Sequence, residues 1–158
     1  GKIVTRPELA NALWTLAGKP VVNYVLSFTD VAEDDLYTEA IRWAVSENVM
    51  TGYDDGCFGA EDTVSRQQML TALWRYAQKH NVDVSVGEDT NILSYEDAFD
   101  ISEYAIPAMQ WACGAGIIAG SGEGKIQPEG ALTREQLSVI LYRYSQLPSE
   151  DSEAAIFD

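Results

Sequence analysis

The sequence predicts an all-α fold made of tandem helix–loop–helix repeats. Three observations predict it: apolar stripes of helical period, a Ser/Thr-x-x-Glu/Gln helix start that occurs three times, and a 68-residue shift that lays one stretch of chain on another without a gap. In that shift residues 40–66 meet residues 108–134: Trp43 falls on Trp111, Gly52 on Gly120, Gly56 on Gly124, Glu61 on Glu129 and Arg66 on Arg134. Upstream, "FTDV" at 28–31 meets "YEDA" at 95–98 with a slip of one residue. An earlier, half copy runs over 4–18 and matches the second at an offset of 60. The full copies span 28–79 and 92–146, an acidic tail follows at 147–158, and the whole of 1–158 reads as one domain.

Each full copy reads as a first helix, a glycine-rich loop and a second helix. The first helix is predicted over roughly 35–48 and 103–115. Tyr37, Ala40, Ile41, Ala44 and Val45 form one apolar stripe at i, i+3, i+4, i+7 and i+8. Pro107 suits a first turn, where a missing N–H costs little. Gly52 and Gly120 are placed as helix exits of positive φ. The second helix is predicted over roughly 6–17, 66–79 and 134–146, with the stripes Leu9-Leu13-Leu16, Met69-Leu73-Tyr76 and Leu137-Leu141-Tyr144. Residues 18–27 and 80–94 read as irregular connectors.

The second helix opens on Thr5-x-x-Glu8, Ser65-x-x-Gln68 and Thr133-x-x-Gln136, three capping boxes. Arg6, Arg66 and Arg134 therefore stand at the first helical position, where a cation opposes the helix dipole by roughly 0.3–1 kcal/mol. Three such placements in a chain with only ten Lys and Arg imply a need for guanidinium. Two explanations stay open. Each Arg pairs with a carboxylate such as Asp30, Glu61 or Asp97, or each joins the free amides of its helix start to make an anion site. Trp43 and Trp111 lie off the main stripe, so they either pack between helices or offer an indole face to a sugar.

The formal charge of −15 disfavours nucleic acid and anionic lipid as partners. No apolar stretch is long enough to span a membrane. The start "GKIVTR" is not a signal segment, and the chain reads as a piece of a longer protein. Cys57 and Cys113 form no CxxC motif and are expected as free thiols. No cofactor is expected. Asp54-Asp55-Gly56 fits a turn better than a calcium loop, because the bidentate Glu of a twelve-residue site is missing. No paired-carboxylate constellation stands outside the repeats, which argues against an enzyme.

The succession of "FTDV", "AIRWA", "MTGYDDGCF" and "VSRQQ" resembles the S-layer homology module, whose Thr-Arg-Ala-Glu motif appears here as Thr5-Arg6-Pro7-Glu8, Ser65-Arg66-Gln67-Gln68 and Thr133-Arg134-Glu135-Gln136. The resemblance implies a pseudo-threefold helical bundle and a non-catalytic, extracellular role at the cell wall. It implies that a surface protein is held on an anionic, pyruvylated secondary cell-wall polymer. It also implies ligand contacts by Arg6, Arg66 and Arg134, by Trp43 and Trp111, and by the loop residues Gly52, Tyr53, Gly120 and Ser121. Two departures bear on the sites: Gln replaces the usual Glu in two copies, and Ser121-Gly122 stands where Tyr53-Asp54 does. A protein–protein or self-assembly module on the same scaffold, without glycan binding, is the competing expectation.

Overall fold

The computed structural model describes residues 2–87, 92–118 and 124–148. It is all-helical, with five α-helices, three short 3-10 turns and two isolated β-bridges among the described residues. The chain falls into two compact units, Ile3–Val64 and Gly1–Lys2 with Ser65–Asp158. The boundary cuts the second repeat between its loop and its second helix. Each unit thus pairs the second helix of one copy with the first helix of the next.

In the unit Ile3–Val64, α1 (Arg6–Leu16) packs on α2 (Thr38–Ser46). The predicted capping box forms: the Glu8 amide donates to Thr5 Oγ1 at 3.3 Å, and the Thr5 amide donates to Glu8 Oε1 at 3.3 Å. Leu9, Ala10 and Leu13 are buried, whereas Leu16, the end of the expected stripe, is 39 % exposed. A short antiparallel bridge joins Thr5 to Thr63.

Helix α2 is shorter than expected because Asn48 takes a φ of 57° just beyond it, and the Val49 and Met50 amides turn back to the Ala44 carbonyl. This corrects the placement of Gly52 as the exit. Gly52 has another purpose: a Cβ there would lie 2.1 Å from Cε1 of Phe28, so the position must be bare for that ring to enter. Residues 18–27 form neither helix nor strand, as expected.

In the unit Gly1–Lys2 with Ser65–Asp158, α3 (Arg66–Lys79) packs on α4 (Ile106–Gly114), and α5 (Arg134–Ser145) follows. Both capping boxes form, with Gln68 N–H to Ser65 Oγ at 3.2 Å and Gln136 N–H to Thr133 Oγ1 at 3.1 Å. The left-handed exit of α4 is Gly116 at φ 75°, the counterpart of Asn48. Met69, Leu70, Leu73, Met109, Ile117, Ile126 and Leu132 fill this core and are essentially inaccessible. Tyr144 stands edge-on to Tyr76 and Trp111, with centroids 6.0 and 6.3 Å away. Gly120 and Ser121 lie outside the described residues, as does the tail from residue 149.

Candidate functional site

The three repeated arginines differ in where their side chains lie. Arg6 is 8 % exposed and turned into its unit. Its Nε donates to the Phe58 carbonyl at 2.7 Å and its Nη2 to the Thr51 carbonyl. The guanidinium lies between two rings, 4.8 Å from the Tyr53 centroid and 4.7 Å from that of Phe58. Such desolvated cation–π contacts contribute on the order of 1–2 kcal/mol, which with the carbonyl bonds exceeds the dipole cost.

The second copy repeats the plan. Arg66, half-buried, donates from Nε to the Ile126 carbonyl at 3.0 Å. Burial pulls its pKa down, and the neighbouring Cys113 and Asp97 push against that. Arg134 differs from both: it is exposed, and its backbone N–H donates to the Lys2 carbonyl at 2.9 Å.

Asp30 and Asp97 grip the same loops from the other side. The Asp30 carboxylate accepts the amides of Phe58, Gly59 and Ala60 at 2.8, 2.8 and 2.9 Å. Asp97 accepts the amides of Ile126 and Gln127 at 2.9 and 2.8 Å. Proline at position 128, the counterpart of Ala60, has no N–H to give. Partial desolvation raises the Asp30 pKa, but the three loop amides outweigh it and hold the group below its ordinary value of 3.8. Desolvation likewise raises Asp97, and the two loop amides with the Lys125 charge bring it lower overall.

One loop residue in each full copy is therefore held through both of its backbone groups. The N–H of Phe58 or Ile126 goes to the aspartate, and its C=O receives the arginine. The sequence offered Asp30 and Asp97 only as ion-pair partners. Their recurrence at matching places in "FTDV" and "YEDA" was the available signal for this clamping role. Gly59 completes the first clamp: its φ is 87°, and a Cβ would stand 2.8 Å from the Tyr53 ring and 3.0 Å from Arg6 Cδ. Tyr53 is exposed and donates its hydroxyl to Asp62 at 2.7 Å. Burial raises its pKa, as does the Asp62 hydrogen bond, against the pull of Arg6.

Trp43 and Trp111 do not stand as sugar platforms. They are 2 % and 1 % exposed, and each is among the largest fully buried side chains or close to it. Tight helix pairing buries α2 and α4 beyond the single predicted stripe, so the packing alternative holds for both. Cys57 and Cys113 are free. Asp55 closes a turn by accepting the Cys57 amide at 3.0 Å, with Gly56 at φ 85°.

Helix pairs shared between successive copies, with their loops held by repeated aspartate and arginine contacts, define a repeat-built all-helical module. Residues 27–70 and 94–138 match the S-layer homology domain, more than half of the chain, and the chain belongs to that family. It is similar to the exoglucanase XynX of Acetivibrio thermocellus, 27 % identical over 141 residues, which are 89 % of this chain and 13 % of that protein. It is also similar to a cell surface protein of Thermoanaerobacter kivui, 27 % identical over 73 % of this chain and 15 % of that protein. An amylopullulanase of Thermoanaerobacterium thermosulfurigenes is 27 % identical over 89 % of this chain and 7 % of its own length. The chain thus spans no more than 15 % of these relatives. S-layer homology domains are non-catalytic anchoring modules, and the enzyme names belong to other parts of the longer relatives.

Proposed function

We propose that this chain is a cell-wall anchor that binds an anionic secondary cell-wall polymer, of the pyruvylated kind, and holds a longer surface protein on a bacterial wall. The observation that carries the reading is the exposed Arg134 at the first position of a capped helix. A helix start presents partial positive charge, and a guanidinium fork beside it suits the carboxylate of a pyruvate ketal. Arg66 adds a half-buried cation at the second corner. Arg6, held on carbonyls between two rings, shapes its loop, and Tyr53 offers the exposed aromatic surface there. Individually weak corners add through avidity along a repeating polymer. The resemblance to a cell surface protein supports the same location.

The test is sedimentation with native walls, polymer-stripped walls and walls bearing pyruvate-free glycan. Arg134→Ala should cut binding to native walls about tenfold, the equivalent of one charge-assisted hydrogen bond, with helical circular dichroism unchanged. Equal sedimentation of the variant, or equal binding to stripped walls, would sink the proposal. A second reading, a protein-binding module on the same scaffold, is favoured by the inward Arg6 and the two buried tryptophans. It requires binding to persist on stripped walls.

A further inference from the structure

We infer that residues 21–26 are an open strand edge that takes an extended apolar segment of another protein, flanked by lysine or arginine, as a partner strand. The stretch Val-Val-Asn-Tyr-Val-Leu runs without turn or bend through the connector between α1 and α2. Its exposure alternates as in a strand: Val22 and Leu26 are half-buried, whereas Val21 and Val25 are 90 and 85 % exposed. Side chains pin its backbone, and no neighbouring strand does. Trp14 Nε1 donates to the Pro20 carbonyl at 2.8 Å, and Arg42 Nη1 donates to the Tyr24 carbonyl. Just beyond the stretch, the Thr29 amide donates to the Gly56 carbonyl at 3.1 Å. The amides of 21–26 have no protein acceptor among the described residues. A straight run of β-branched and aromatic residues with unpaired amides is a template for one more strand.

The connector of the next copy shows what such a stretch needs for folding alone. An offset of 60 lays Val21–Leu26 on Asn81–Val86. One set of alternate places stays apolar: Val22, Tyr24 and Leu26 fall on Val82, Val84 and Val86. The other set, which faces solvent, does not: Val21, Asn23 and Val25 fall on Asn81, Asp83 and Ser85. Asp83 also accepts the Ser85 amide at 2.9 Å, so the later connector carries a charge and has one amide already used. The connector therefore does not need its outward valines in order to fold. Exposed valines at places that polar residues can fill fit a surface that a partner covers.

Charge selects the occupant. Glu33, Asp34 and Asp35 are exposed a short way along the chain. Glu33 lines a cavity of about 150 Å³ together with Val25, Leu26, Val31 and Ala32, which leaves room for one side chain of the incoming strand. Arg42 lines it too, but its charge is directed to the Tyr24 carbonyl and to Glu39 at 3.4 Å. A second copy of the chain would bring another formal charge of −15 against these carboxylates, so a cationic segment is favoured over self-pairing.

The probe is the peptide Lys-Val-Thr-Val-Thr-Val-Lys, added to the intact chain at low salt. Every second amide from Val21 to Leu26 should exchange roughly fivefold more slowly, because an added strand bonds alternate residues. The double variant Val21→Asn with Val25→Ser copies the outward residues of the later connector. It should keep the helical circular dichroism of the parent chain and lose most of that protection. Unchanged exchange with the peptide overturns the proposal. So does equal protection by a peptide that carries glutamates at its ends, or by one whose amides are methylated. A dimer of the chain alone that the double variant dissociates overturns it by assigning the edge to a second copy. Slowing of the same amides by purified wall polymer overturns it by assigning the edge to the glycan.

Discussion

The loop held by Arg6 and the loop held by Arg66 share one clamp and differ in their cover. In both, an aspartate takes the loop's amides and an arginine takes a carbonyl of the same loop. The Arg6 loop adds an aromatic sandwich, a third amide on its aspartate and a glycine at the left-handed position. The Arg66 loop has Ile126 for Phe58, Pro128 for Ala60 and Gln127, at φ 51°, for Gly59. The shared part is the polar clamp, so the clamp fixes the loop's path. The aromatic cover is an addition that withdraws one arginine from solvent. The capped helix start is common to all three copies, and the use of its arginine is what varies.

Removing the carboxylates should have the largest effect and should break the two loops unequally. Asp30→Ala strands three amides and should cost about 3 kcal/mol. Asp97→Ala strands two and should cost about 2 kcal/mol, since bonds to charged groups contribute more than neutral ones. Exchange of the Phe58, Gly59 and Ala60 amides in one variant, and of Ile126 and Gln127 in the other, reads each loss locally. Equal losses would mean that the third amide adds nothing. The same comparison can be run with acid. Both carboxyls are held lower in the folded chain than in the unfolded one. Their stabilisation is therefore complete above the unfolded value, near 4, and is lost as pH falls through the folded values. Asp30→Asn should flatten the decline of stability below about pH 4, and a urea titration at pH 3 and pH 6 checks it. An unaltered pH dependence would remove Asp30 from the acid response.

The glycine position should respond with opposite signs in the two loops. Gly59→Ala puts a Cβ against Tyr53 and Arg6 at a φ of 87° and should destabilise by about 1–2 kcal/mol. Gln127→Gly relieves a left-handed side chain and should stabilise by a few tenths to about 1 kcal/mol. Urea midpoints of the two variants decide. If both move downwards, Gln127 is held by contacts that outweigh its backbone strain.

Much of this architecture was legible in the chain. Thr5, Ser65 and Thr133, each three residues before Glu or Gln, marked three helix starts to the residue, because a capping box is local chemistry. The 68-residue shift pairs Phe58 with Ile126 and Asn48 with Gly116. The direction of each arginine was not legible. Arg6 and Arg134 share one local sequence context, and only the loop that reaches Arg6 from about fifty residues away turns it inward. Trp43 and Trp111 were ambiguous for the same reason: a helix packed closely on its neighbour buries side chains well off its central stripe. Gly52 was placed correctly as special and wrongly as an exit, since its need is set by Phe28, a ring 24 positions upstream.

The smallest effect should come from the Tyr53 hydroxyl, and it separates the two ways in which Tyr53 can serve its loop. Tyr53→Phe keeps the ring 4.8 Å from the Arg6 guanidinium and loses only the bond to Asp62 on an exposed edge. An exposed neutral-to-charged bond of that kind contributes no more than about 1 kcal/mol, so exchange at Gly59 and Ala60 should quicken less than fivefold. Tyr53→Ala removes the ring itself, leaves Arg6 covered on the Phe58 side alone and should quicken exchange several times further. If the two variants behave alike, the hydroxyl rather than the ring holds the cover in place. The first copy would then owe its inward arginine to Asp62, a carboxylate with no equivalent where glycine stands at position 130.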